Sequence, residues 1–288
     1  MMIGKKILII GGAGFIGSHL SDLLAPKNTV VSIDNYLSGN KKNHVNGVRY
    51  IKGSSGDILT LAGDFSPDLI FHLGEYSRVE SSYEDYPLVI ENNLIPFSNV
   101  LLFAKKHNAK LVYSGSSTKF AQYSDNEFQS PYAWTKAKNT EHLIHYAEWF
   151  GLDHAIVYFY NAYGGNEIET GPFSTVIGKY KHLYARGDRV LPVVSPGTQS
   201  RNFTHYSDIV SGLIAVALNG SGDGFGIGAD RSITMLDVVK YFGCSPSFIP
   251  NRRGNRQSAE LLTDSTKALG WSPKVDIEQH LSNFCKNL

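Results

Sequence analysis

Short β-branched runs alternate with longer helical patterns through roughly the first 160 residues. That alternation constrains the fold more than any other feature of the chain. Segments 6–10, 29–33, 68–73, 109–113 and 155–159 read as strands. Most are apolar on both faces, as in a parallel sheet covered by helices on each side. Helical stretches fall near 15–25, 92–107 and 131–150. Such repetition needs crossover connections, which gives an α/β architecture with a doubly wound parallel sheet. Beyond about residue 160 the pattern loosens, apart from a helical segment at 206–219. The expected division is a main domain over 1–163, rejoined by 203–222, and a smaller interleaved C-terminal lobe over 164–202 and 223–288. The lobe would cover the carboxyl ends of the strands, where open α/β sheets bind ligands.

The chain has 288 residues, 27 basic and 26 acidic side chains, and a net charge of +1. Coating nucleic acid or an anionic membrane calls for a large basic excess, so neither is expected as a partner. No uninterrupted apolar run approaches the roughly 20 residues of a membrane span, and the first residues lead into a strand without a signal-peptide pattern. Only Cys244 and Cys285 occur, which argues against a disulfide framework or thiolate zinc site and makes a reducing cytoplasm the default. His142 and His145 lack a carboxylate pattern, so no metal site is expected.

Gly11-Gly12-Ala13-Gly14-Phe15-Ile16-Gly17 follows the first strand and opens the first helix. Glycines at 11, 14 and 17 suit a tight turn, close approach of backbone to a pyrophosphate, and close helix–strand contact. The following helix start, with Phe15 and Ile16, offers free N–H groups to the phosphates. Asp34 ends the second strand, at the distance where a carboxylate binds the adenosine ribose hydroxyls. Its charge would repel a 2′-phosphate, which favours NAD over NADP. Asp57, before Ile58, can hydrogen-bond an adenine amino group.

Tyr132 and Lys136 are four residues apart in a helical stretch and share one face. A neighbouring ammonium stabilises phenolate, making the phenol a usable acid/base near neutral pH. Ser116, just after a strand, can polarise a substrate oxygen at the sheet's carboxyl edge.

With these residues in place, the chain resembles the extended short-chain dehydrogenase/reductases of the nucleotide-sugar epimerase/dehydratase group, over nearly its whole length. The resemblance rests on Gly11 to Gly17, Asp34-Asn35, Gly56-Asp57-Ile58, His72-Leu73-Gly74, Asn93, Ser116, Tyr132 with Lys136, and Phe159 to Gly164. It continues through Arg201 to His205, Asp208, and Asp264 to Trp271. It implies a Rossmann domain with NAD held by the glycine loop, Asp34, Asn35, Asp57, Ile58, Leu73, Gly74 and Lys136. Tyr132 would take the proton from the sugar 4-hydroxyl as hydride leaves C4, with Ser116 supporting the same oxygen. Asn161, Arg201 and Arg252 match positions that contact the nucleotide diphosphate, a role suited to forked guanidinium groups. The resemblance also implies a homodimer paired through the 92–107 and 131–150 helices.

Three departures from the family's pattern bear on the reaction. The acidic pair that 4,6-dehydratases carry after the catalytic hydroxyl is replaced by Ser117 and Thr118, which cannot supply a carboxylate. Glu75 stands where a small residue is usual, either as an acid/base facing substrate or as an ion-pair partner, for instance of Arg78. Lys119 replaces a valine and either steadies an anion or faces solvent. The expected activity is NAD-dependent 4-epimerisation through a transient 4-keto sugar nucleotide. The alternatives are a 4,6-dehydratase using Glu75, and a non-catalytic NAD-binding sensor.

Overall fold

A computed structural model describes residues 2–120, 130–251 and 257–288. Seven parallel strands form the main sheet: β1 (Lys6–Ile10), β2 (Thr29–Asp34), β3 (Val48–Lys52), β4 (Leu69–His72), β5 (Lys110–Ser116), β6 (His154–Phe159) and, much later in the chain, β8 (Gly222–Ile227). Their order is β8-β6-β5-β4-β1-β2-β3. The chain therefore leaves β1 in one direction for β2 and β3 and in the other for β4, β5 and β6. A crevice opens at that reversal, above the carboxyl ends of the strands.

Alternate side chains of β1 serve both faces of the sheet. Ile7 and Ile9 pack with Leu20 of helix α1 (Phe15–Leu24) and with Ile209 and Leu213 of helix α5 (Tyr206–Asn219). Leu8 and Ile10 pack on the other side with Phe97, Val100 and Leu101 of α2 (Ile95–Lys106) and with Leu143 of α3 (Pro131–Phe150). A third core holds the smaller lobe together. It contains Tyr180 of α4 (Val176–Ala185), Leu191 and Val193 of β7 (Val190–Val194), Val238 of α6 (Met235–Tyr241) and Leu281 of α8 (Ile277–Lys286). Strand β7 pairs in parallel with β9 (Ser245–Ile249).

The return to the main sheet runs further than residue 222, since β8 pairs with β6 as far as Ile227, across a break in register between Gly222 and Phe225. Helix α7 (Asp264–Ala268) packs against β8, and Trp271 enters the same sheet-face core, its indole N–H donating to the Asp208 carbonyl at 2.9 Å.

Helix α2 continues an earlier turn (Tyr86–Val89) through a five-residue π segment (Ile90–Leu94). The combined run Tyr86–Lys106 is 21 residues long and, among the described residues, is the helix long and apolar enough to cross a membrane. In this fold its apolar face lies on the sheet, with Phe97, Val100, Leu101 and Ala104 fully covered.

Candidate active site

The turn after β1 is built by backbone contact. Gly11 has φ +87, and a Cβ there would sit 2.6 Å from the Gly74 Cα; a Cβ on Gly17 would meet the Gly11 carbonyl at 2.1 Å. Only glycine satisfies both the dihedral and the space. Helix α1 then starts from Gly14 with no side-chain cap, so its first N–H groups point into the crevice. Asp34, at the end of β2, accepts from the Ala13 N–H at 2.9 Å and the Tyr36 N–H at 2.8 Å. Burial pushes its carboxyl above the ordinary range, and those two N–H groups oppose the shift. Each carboxylate oxygen keeps a lone pair for a further donor.

Helix α3 carries the next group. Ser130 caps it by accepting from the Ala133 N–H at 3.1 Å, Pro131 supplies a preset first turn, and Gly151 ends it in the left-handed region. Tyr132 and Lys136 thus sit in its first two turns. Both line an inner cleft of about 490 Å³, together with Gly11, Asp34, Gly74 and Ser116. The Ser116 hydroxyl is 2.8 Å from that of Thr118.

The Lys136 ammonium donates to the Ser114 carbonyl and to the Glu75 carboxylate. Glu75 borders the cleft, and its side chain is only 3% exposed. Asn139 donates to Oε1 at 2.8 Å and the Tyr113 hydroxyl to Oε2 at 3.0 Å, while His72 Nε2 lies 3.7 Å from Oε1. The partner of Glu75 is therefore Lys136 and not Arg78, and both of its carboxylate oxygens are engaged by this cage. Asn93, in the π segment, pins the adjoining loop: its Oδ1 accepts from the Tyr76 N–H at 2.7 Å and its Nδ2 donates to Thr135 at 3.0 Å. A π turn inside a helix often marks a functional region.

An outer cleft of about 420 Å³ continues from the inner one, sharing Arg78, Asn161, Thr175 and Phe203 with it and adding Arg201. Asn161 has a buried Oδ1 without a hydrogen-bond partner, so a donor on a bound molecule would complete it.

The family model for the NAD dependent epimerase/dehydratase family matches residues 7–228. The chain belongs to that family. Within it, UDP-glucuronic acid decarboxylase 3 of Arabidopsis thaliana is 29% identical, covering 96% of this chain and 86% of that protein. The structure of UDP-glucose 4-epimerase from Thermotoga maritima, determined with UDP-glucose, has a TM-score of 0.88 at 26% identity, covering 98% of this chain and 97% of that one. The Thermus thermophilus UDP-glucose 4-epimerase, determined with NAD, has a TM-score of 0.86 at 25% identity, covering 98% of each chain.

This epimerase/dehydratase-family cleft fits a dinucleotide. The Gly11–Gly74 contact leaves a shallow floor that any Cβ would fill, and the start of α1 and Asp34 lie along it. Asn35 and Leu73 border the same space. Asp57 is exposed, Ile58 lies in the core under α2, and neither reaches either cleft. Lys119 is also outside them, 3.5 Å from Asp223. Arg252 lies outside the described residues. Tyr113 and Asn139 were not singled out from sequence, and Thr118 was noted only as lacking a carboxylate. Asn139 alone had a legible signal, being three residues beyond Lys136 on the same face of α3.

Proposed function

We propose that the chain is a nucleotide-sugar 4-epimerase in which Tyr132 is the acid/base. Bound NAD would accept hydride from C4 of the sugar and return it to the opposite face. Tyr132 takes the 4-hydroxyl proton as the hydride leaves and gives it back on return. Ser116, backed by Thr118, donates to the same oxygen. Lys136, fixed by Glu75 and the Ser114 carbonyl, keeps a positive charge beside the phenol and within reach of the nicotinamide ribose. Asn161 and Arg201 hold the diphosphate in the outer cleft.

One observation favours epimerisation over 4,6-dehydration. Among the described residues lining the inner cleft, the carboxylates are Asp34 and Glu75. Asp34 belongs to the far, adenosine end, and Glu75 is caged. Elimination of water needs a group to remove the C5 proton and another to protonate the leaving hydroxyl, and Ser117 and Thr118 supply neither carboxylate.

Incubation of the purified chain with UDP-, GDP- and dTDP-sugars, followed by mass spectrometry and chromatography, tests the reading. An epimer of unchanged mass is expected. A product lighter by water contradicts it in favour of a dehydratase, and one lighter by carbon dioxide in favour of a decarboxylase. We further propose a homodimer through the outer faces of α2 and α3, where Ile95, Leu102, Trp149 and Phe150 are exposed; light scattering that gives a monomer mass would exclude it.

A further inference from the structure

Arg78 lies on the loop after β4 and reaches across the cleft to the smaller lobe. Its Nη2 donates to the Phe173 carbonyl and its Nη1 to the Ser77 carbonyl at 3.2 Å, and its guanidinium carbon is 5.9 Å from the Phe173 ring centre. Among the described residues no carboxylate pairs with it, and its Nε is buried without a hydrogen-bond partner. A half-buried cation held, among the described residues, by carbonyls and a ring is poorly compensated, and guanidinium cannot shed its charge near neutral pH. Burial pushes its pKa down, while the nearby hydroxyls of Tyr132 and Tyr76 pull it up. The guanidinium lines the same inner cleft as Tyr132.

The inner cleft contains two cations among its described lining residues, Arg78 and Lys136. Lys136 is already paired with Glu75. Arg201 lines only the outer cleft, where the diphosphate is placed above. Arg78, which borders both clefts, thus leaves one uncompensated positive charge where the inner cleft, also lined by Tyr132, meets the outer one. The phenol acts on the 4-hydroxyl, and the next ring carbon, C5, carries C6. In a hexuronic acid C6 is a carboxylate, the planar anion that a guanidinium fork fits best.

We propose that Arg78 binds a carboxylate on the sugar, so that the substrate is a nucleotide-linked uronic acid. The proposal rests on the C4 chemistry proposed above. It also fits epimerisation, because a guanidinium that stabilises the carboxylate opposes loss of carbon dioxide from the 4-keto intermediate.

The test compares kcat and KM on two matched pairs, UDP-glucuronate with UDP-glucose and GDP-mannuronate with GDP-mannose, using the NAD-loaded full chain. The wild type should favour the uronate of at least one pair by roughly ten- to a hundred-fold in kcat/KM, the scale of a charge-assisted hydrogen-bonded pair. Arg78→Gln should remove that preference, mainly by raising KM for the uronate at least ten-fold more than KM for the neutral sugar or Kd for UDP or GDP; Arg78→Lys should restore part of it. Preference for the neutral sugar in both pairs overturns the proposal while leaving the epimerase reading intact. Equal weakening of uronate, neutral sugar and free nucleotide diphosphate also overturns it and makes Arg78 a diphosphate ligand. A fall in kcat alone on every sugar overturns it in favour of an effect on Tyr132. Turnover of no sugar nucleotide at all sinks both readings. If the Gln variant fails to fold, the wild-type preference still tests the substrate class and Arg78→Lys still tests the residue.

Discussion

Glu75 and Lys136 form a buried ion pair, with the two side chains 3% and 5% exposed. The pair joins the loop after β4 to the second turn of α3, and Asn139 and Tyr113 complete the shell of the carboxylate. Two desolvated charges of this kind stabilise little as a pair but leave a large penalty when one is removed alone.

The pair should therefore show strong coupling in a double-mutant cycle. Glu75→Gln or Lys136→Met alone should each destabilise by about 3–5 kcal/mol, and the double variant by clearly less than the sum. Urea denaturation of the four proteins measures this. Additive losses would mean that the two charges do not interact.

Tyr132→Phe deletes the proposed acid/base without changing packing appreciably. Turnover should fall by about 10²–10⁴-fold while NAD is retained at the wild-type level. Steady-state rates and the nicotinamide content of the purified protein check both halves. Unaltered turnover would remove Tyr132 from the mechanism.

Gly11→Ala forces a Cβ to within 2.6 Å of the Gly74 backbone at φ +87. About 1–3 kcal/mol of backbone strain is expected, together with loss of the thermal stabilisation that added NAD provides. Gly187→Ala, at φ +94 with open space around it, should cost stability while keeping the NAD response. Equal behaviour of the two variants would mean that the Gly11–Gly74 contact does not form the cofactor floor.

His72 supplies a pH dependence. Burial lowers its pKa from 6.5 to about 4, with Lys136 adding to the shift and Glu75 opposing it. The folded protein thus keeps His72 neutral where an unfolded chain takes up a proton. Its contribution is intact above about pH 6.5, and stability falls as the pH drops from there towards 4, by up to about 3 kcal/mol. Denaturant midpoints across this range should show a shallower acid limb for His72→Gln, a side chain that does not titrate. An unchanged limb would assign the acid sensitivity to other groups, such as His205, whose pKa burial also lowers to about 4.

Much of the fold was legible in the sequence because both faces of β1, β4, β5 and β6 are apolar. β3 escaped notice because Val48–Lys52 is an edge strand with Arg49 and Lys52 facing outward. β8 escaped because Gly222, Gly224 and Gly226 dilute its pattern; Gly226 is needed where a Cβ would meet the Leu262 carbonyl at 1.9 Å. In the site, the glycine loop, Asp34, Ser116, Tyr132 and Lys136 lie together as their spacing implied. The settings of Glu75, Arg78 and Lys119 were not legible, because long side chains choose partners from elements distant in sequence.

Hydride return to C4 is the central claim, and isotope tracing reads it directly. A sugar nucleotide that the chain converts, deuterated at C4, should yield product of opposite C4 configuration with the deuterium still on C4 and the mass unchanged. Deuterium lost to solvent, or a product missing water or carbon dioxide, would contradict the account.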